Sequence, residues 1–291
     1  MKKILKEIYR LIPFKKQFFL FIKFFWTPPH SIYKHLHFND EILISVDNSH
    51  KFKMMHYGFQ VENDLFWEGI HSGYEGMSMN LWIKLARKSN VVFDIGANTG
   101  TYSMVTKCIN PNARVFAIEP VKRVFEKLKA NAHINNFDIV CIEAAASNNV
   151  GVATIYDTFE AHTYSVTVNK NRNLAETKVF TTEINTTTLD SIIEKYAIPK
   201  IDLMKIDVET HEPEVLEGYR KYFALHKPTL LIEILNDEVG KRVEDFVKPL
   251  GYLFFSLEEG DSIKKVDKII QRGFLNYLLC SSETAKELEL V

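Results

Sequence analysis

Val91-Val92-Phe93-Asp94-Ile95-Gly96-Ala97-Asn98-Thr99-Gly100 is the stretch whose reading decides the fold. A short, unbroken apolar run enters a turn with two glycines, and a helical stretch follows. Such runs are expected of strands whose sheet is covered on both faces. Gly96 and Gly100 allow a tight turn and a close backbone approach to a ligand. The same rhythm recurs down the chain. Val115-Phe116-Ala117-Ile118 precedes a helix over 121–135, and Ile139-Val140-Cys141-Ile142 is a third run. Leu203-Met204-Lys205-Ile206 precedes a helix that Pro213 can open at its first turn, and Leu230-Leu231-Ile232 is a fifth run. Strands alternating with helices predict an open, mostly parallel, doubly wound α/β sheet with right-handed crossovers.

The flanks are less regular. Residues 41–46 alternate like a strand, 52–55 pair with them through Asp47-Asn48, and a helix is expected over 77–87. A polar stretch, 148–199, interrupts the α/β rhythm. Within it 152–156 and 179–184 read as strands and 163–173 as a loop, an insertion that either covers the site or extends the sheet. A chain of 291 residues suits a core domain with an appendage, here an N-terminal extension over 1–80 and a ligand-binding domain over 81–291. The net charge of -1 gives no case for bulk binding to nucleic acid. Cys108, Cys141 and Cys280 are far apart, so neither a zinc site nor a disulfide framework is indicated, and a reducing, cytoplasmic setting fits.

Residues 1–26 are rich in Phe, Leu and Ile, but Lys2, Lys3, Lys6, Arg10, Lys15, Lys16 and Lys23 interrupt them and Pro13 divides them. No stretch reaches the roughly 18 apolar residues of a spanning helix. Two readings stand: a basic, aromatic segment resting on the inner face of an anionic membrane, or a helix docked on its own protein or on a second subunit of a homodimer.

Ligands of open α/β sheets bind beyond the carboxyl ends of the strands, so the first turn is the place to look. A dinucleotide fingerprint needs Gly-x-Gly-x-x-Gly. Counted from Gly96, the other glycine positions hold Asn98 and Thr101, so that pattern fails twice. S-adenosylmethionine has no pyrophosphate but carries an ammonium and a sulfonium, and Asp94 places a carboxylate at the turn. Glu119 ends the second strand, where a carboxylate can accept both ribose hydroxyls; that spacing is shared with dinucleotide-binding folds.

These residues, with Ala117-Ile118-Glu119-Pro120, Lys205-Ile206-Asp207-Val208-Glu209, Val215-Leu216-Glu217-Gly218 and Ile232-Glu233, resemble the FkbM-type methyltransferases over about residues 90–240. The resemblance implies a class I methyltransferase fold, S-adenosylmethionine as donor, and O-methylation of sugars or other natural products. It would set the methionine end of the cofactor on Asp94, Gly96, Ala97, Asn98, Thr99, Gly100 and Thr101, and the ribose on Glu119. The adenine would lie near Pro120 and the turn Ala145-Ala146-Ser147. Many members have Gly-Ala where this chain has Thr210-His211, which leaves the acceptor site open.

Methyl transfer needs an acceptor held in line and relieved of its proton. Lys205, Asp207, Glu209 and His211 stand at the end of the fourth strand, and His211 or Glu209 is favoured as base, since an imidazole titrates near neutrality. Asp207, Glu209 and Glu233 would give hard oxygen ligands to a Mg²⁺ that acidified a hydroxyl, but their spacing is generic and a metal is not favoured. Tyr57, Glu62, Asn63, Trp67, Tyr74 and Glu75 mix aromatic faces with polar groups, as a sugar site does; core packing is the competing reading for each. The expected acceptor is a hydroxyl of a glycan, such as a surface polysaccharide or glycolipid. The alternatives are a polyketide or peptide product and a catalytically silent scaffold.

Overall fold

The computed structural model describes residues 13–73, 75–158, 179–258, 262–273 and 275–291, with backbone alone at 156–158, 179 and 180. Tyr74, the loop expected at 163–173 and the first part of the basic N-terminal stretch lie outside the described residues.

The chain opens with helices α1 (Lys15–Phe25) and α2 (His30–Tyr33), then the hairpin β1 (Asp40–Ser45) and β2 (Lys51–His56). Asp47 closes that hairpin by accepting from the backbone amides of Ser49 and His50, both at 2.8 Å. Helices α3 (Gln60–Trp67) and α4 (Gly76–Ala86) lead into the first buried strand, β3 (Val91–Ile95). The alternation continues through α5 (Thr101–Ile109), β4 (Arg114–Ile118), α6 (Lys122–Ile134) and β5 (Ile139–Ile142).

Next come β6 (Ala145–Ala146), β7 (Gly151–Thr158) and β8 (Val179–Thr187). The polar insertion does not extend the central sheet. β7 and β8 pair antiparallel with each other, β8 pairs parallel with β6, and the three form a separate sheet. The chain then runs through α7 (Leu189–Tyr196), β9 (Leu203–Ile206), α8 (Glu212–Glu217), α9 (Arg220–His226), β10 (Thr229–Glu233) and α10 (Asp237–Val247). β11 (Leu253–Glu258), β12 (Ser262–Val266), β13 (Asn276–Cys280) and α11 (Ser282–Glu287) complete it.

The central sheet has the order β12-β11-β13-β10-β9-β3-β4-β5. Its β5, β4, β3, β9 and β10 are parallel, while β13 lies antiparallel between β10 and β11. The expected mostly parallel, doubly wound α/β class holds, and the antiparallel end is an addition to it. Thirteen-residue α6 has a job in seating the extension. Asn131 accepts from the Met55 amide of β2 and donates to the Thr99 carbonyl, both at 2.9 Å. One turn on, Asn135 brackets Lys53, accepting from its amide and donating to its carbonyl, both at 2.7 Å. α4 runs across residue 80, and extension residues such as Phe52, Met54 and Trp67 share one apolar core with Val92 and Val105.

Candidate active site

β3 ends between two neighbours of its own sheet, so its turn emerges in the crevice where the strand order changes direction. Gly96 has φ +75°, and a Cβ there would lie 1.8 Å from the Asp207 carbonyl oxygen at the end of β9. Only glycine allows the two strand ends to touch. Gly100 has φ +92° and heads α5, with Leu128 of α6 packed where a Cβ would go. Asn98 has φ +53°, a region that asparagine tolerates better than most side chains. The missing second glycine of the dinucleotide pattern is therefore a left-handed residue all the same.

Two carboxylates are fixed on this turn. Asp94 Oδ2 accepts from the Ser103 amide at 3.0 Å and from its hydroxyl at 2.6 Å. Glu119 accepts from the Asn98 amide at 3.1 Å and the Val121 amide at 2.9 Å. Both are buried. Burial pushes Asp94 up to about 6 and Glu119 up to about 7, against the hydrogen bonds that pull each down. Beside them the Asn98 Oδ1 and Thr99 Oγ1 atoms are buried without a hydrogen-bond partner among the described residues. Two buried carboxylates and two unsatisfied polar atoms on one turn fit a ligand with a cationic end and several hydroxyl or amino groups.

The turn opens on a cavity between the extension and the sheet. Its far wall comes from α3 and α4 with Val61, Asp64, Leu65, Glu75 and Met79, and its floor includes Tyr102 and Lys205. Tyr102 donates to Glu75 at 2.7 Å. Lys205 donates to Asp207 at 3.0 Å, and its Nζ lies 5.1 Å from the centre of the Tyr102 ring. Burial by itself would lower the Lys205 ammonium, but Asp207, Glu75 and Glu233 hold it above its usual range. The Glu233 carboxyl is raised by burial and by the neighbouring Asp207 carboxylate. Lys205 thus stands as a permanent cation among carboxylates.

The expected strand-end set is brought together only in part. β9 stops at Ile206; Lys205 and Asp207 meet by a hydrogen bond, Glu209 is close enough to Glu233 to raise its carboxyl, and Glu209 and Thr210 continue in left-handed backbone at φ +57° and +80°. Of the four, Lys205 lines the cavity and Asp207 stands behind it, while neither Glu209 nor His211 is on the cavity wall. The His211 Nε2 is 3.0 Å from Ser147 Oγ and its Nδ1 is 3.5 Å from Glu214, at the start of α8. The residues 145–147 expected near the adenine follow β5 closely, as a short strand and the residue after it. Ala145 and Ala146 are buried in β6, and Ser147 is engaged by His211 and by the backbone of Thr187. Pro120 stays partly exposed beside Glu119, and Thr101 lines the cavity.

Of the acceptor candidates, Glu75 faces the cavity. Trp67 is buried against Phe19 and Tyr33, and Asn63 donates to the Tyr33 carbonyl at 2.7 Å. Both belong to the core of the extension. Glu62 is buried and Tyr57 lies under the Lys127 ammonium, so neither faces the cavity. Asp207 and Glu233, two of the three oxygen donors considered for Mg²⁺, lie within the field of the Lys205 ammonium. Among the described residues no group of three or more His, Cys, Asp or Glu is placed to hold a metal ion.

Three residues of the site were not visible in the sequence. Ser103 and Tyr102 look like ordinary helix residues until α5 swings them over Asp94 and Lys205. Glu212 is fully buried and accepts from the Val208 amide at 3.1 Å and the Thr210 amide at 3.3 Å, shaping the loop beyond β9. Burial pushes its carboxyl up to about 8. A glutamate three residues after Glu209, just before Pro213, was the available signal.

The hexuronic acid methyltransferase AglP of Haloferax volcanii is 28% identical over 140 residues, covering 48% of this chain and 54% of that protein. The 31-O-demethyl-FK506 methyltransferase FkbM of Streptomyces tacrolimicus is 29% identical over 156 residues, covering 45% of this chain and 60% of that one. The chain thus spans a little over half the length of these curated relatives. Among solved structures, a methyltransferase FkbM from Methylobacillus flagellatus aligns with a TM-score of 0.43 at 17% identity, over 66% of this chain and 43% of that one. The model of the methyltransferase FkbM domain matches residues 94–260, from the carboxylate of the first turn to beyond β11. That match takes in more than half of the chain, and the chain belongs to the FkbM methyltransferase family.

Proposed function

We propose that the chain is an S-adenosylmethionine-dependent O-methyltransferase whose acceptor is a hydroxyl of a sugar or glycan. The observation that carries this is the pairing of buried Asp94 and Glu119 on one turn with the unpartnered Asn98 Oδ1 and Thr99 Oγ1. Asp94 would face the cationic methionine end, and Glu119 would accept from the ribose hydroxyls. When bound, S-adenosylmethionine supplies a methyl group on a sulfonium, already a strong electrophile.

What remains for the protein is to position the acceptor and to move its proton. The cavity beside the turn offers both kinds of group. Val61, Leu65 and Met79 exclude water from one side, while Asp64 and Glu75 offer acceptors for sugar hydroxyls. Lys205 would donate to the reacting oxygen and stabilise negative charge as the bond forms. Asp207, already bonded to Lys205, would take the proton. A positioned base typically contributes about 10²–10⁴-fold. The name of the Haloferax relative, a hexuronic acid methyltransferase, supports a sugar acceptor.

The test is a labelled-methyl transfer screen against sugar nucleotides and lipid-linked glycans. Labelled product is expected with the wild type, and Asp207→Asn should lower turnover by about 10²-fold or more with cofactor affinity changed little. Equal turnover by Asp207→Asn would remove Asp207 from the mechanism. Transfer only to peptides or polyketides would remove the glycan reading.

A further inference from the structure

Helix α1 is inverted relative to an ordinary surface helix. Two of its lysines lie on the flank toward the protein: Lys16 donates to Asp40 at 3.3 Å, and Lys23 donates to the Phe66 carbonyl and lies 5.2 Å from the centre of the Phe66 ring. Phe19 alone of the helix is fully buried, against Phe38 and Trp67. The opposite face is aromatic and open to solvent. Phe14, Phe18, Phe21 and Phe25 follow one another at helical spacing, with Phe24 beside them, and Phe21 and Phe24 are 65% and 81% exposed. Trp26 and Ile32 continue the patch past the helix end. A contiguous apolar surface of this kind marks an interaction site.

The charge around the patch selects the partner. From residue 1 to residue 35 the sequence has Lys2, Lys3, Lys6, Arg10, Lys15, Lys16, Lys23 and Lys34 against the single acid Glu7. The whole chain has a net charge of -1, so the remainder is acidic. A second copy would set two basic segments face to face, which repel. An anionic bilayer matches both features, taking the rings at the level of its headgroups and attracting a segment whose net charge over residues 1–35 is strongly positive. Among the described residues no helix is long and apolar enough to cross a membrane, which suits a helix lying in the interface plane.

We propose that α1 is an interfacial anchor that rests on anionic lipid. Its inner side packs on Phe66 and Trp67 of α3, the helix whose Val61, Asp64 and Leu65 line the cavity. Docking would therefore hold the cavity at the bilayer surface, within reach of an acceptor attached to a lipid. The anchor itself does not depend on the methyl-transfer reading.

Co-sedimentation of the full chain with phosphatidylcholine vesicles, with and without phosphatidylglycerol, tests it. Binding is expected to the anionic vesicles and to be roughly tenfold or more weaker to neutral ones or at high salt. The triple variant F21S/F24S/F25S changes only exposed positions, so it should fold, melt at the wild-type temperature and bind S-adenosylhomocysteine as the wild type does. It should lose sedimentation with vesicles. Equal binding by the variant, or no binding by the wild type, overturns the proposal. So does light scattering that shows a dimer abolished by the variant while vesicles are ignored.

Discussion

Thr210 has φ +80°, a region where a β-branched side chain is crowded and glycine is at ease. A glycine at this place, as the family resemblance implies, would be favoured by backbone geometry alone. Thr210→Gly should stabilise the fold by about 1 kcal/mol, strain relief outweighing the extra chain entropy of glycine; urea unfolding would show it, and a lower midpoint would contradict it. Gly96→Ala should do the reverse. Its Cβ would meet the Asp207 carbonyl oxygen, so a loss of about 3 kcal/mol or more is expected, together with loss of cofactor binding. His211 was attractive in the sequence because imidazole titrates near neutrality. Burial lowers it, and its ring is spent on Ser147. His211→Ala should cost about 1–3 kcal/mol, since it leaves the Ser147 hydroxyl buried without its partner, while turnover should stay within about threefold of wild type. Asp94, Gly96 and Glu119 were legible because their backbone roles have sequence signatures. Ser103, Tyr102 and Glu212 were not, because only packing turns them toward the site.

At the level of elements, the β-α alternation was readable along the parallel part of the sheet, while the buried antiparallel strands β11 and β13 were not foreseen. The five parallel strands appear as apolar runs and the α/β class follows from them. The insertion was not readable in the same way. Its strands have β character, but which strand they pair with is set by β6, a two-residue element with no pattern of its own. The seating of the extension was also hidden, since Asn131 and Asn135 look like polar residues on an exposed helix face. Both instead take over hydrogen bonds of the β2 backbone, and Asn131 also holds the Thr99 carbonyl of the cofactor turn. Asn131→Ala should leave the Met55 amide and the Thr99 carbonyl without partners. The expected cost is about 2–4 kcal/mol by chemical unfolding, with weaker cofactor binding because the turn is no longer tied to α6. An unchanged affinity would show that the turn holds its shape alone.

For the molecule as a whole, the buried acids make stability depend on pH. Asp94, Glu119 and Glu212 are raised to about 6, 7 and 8, so each holds its proton more tightly folded than unfolded. Stability from these groups is present at low pH and is lost as pH rises through those values. His56, lowered by burial to about 4, works in the opposite direction between about 4 and its usual value near 6.5. Above that range the acids act alone, and the melting temperature of the free protein should fall between about pH 6.5 and pH 8. A cationic ligand favours the ionised acids, so its binding should release protons and tighten over the same range. Calorimetry with S-adenosylhomocysteine, in buffers of different ionisation enthalpy, tests the central claim most directly. The account predicts saturable binding with proton release, weakened roughly tenfold to a hundredfold by Asp94→Ala. No binding at millimolar ligand, or equal binding by Asp94→Ala, would contradict it.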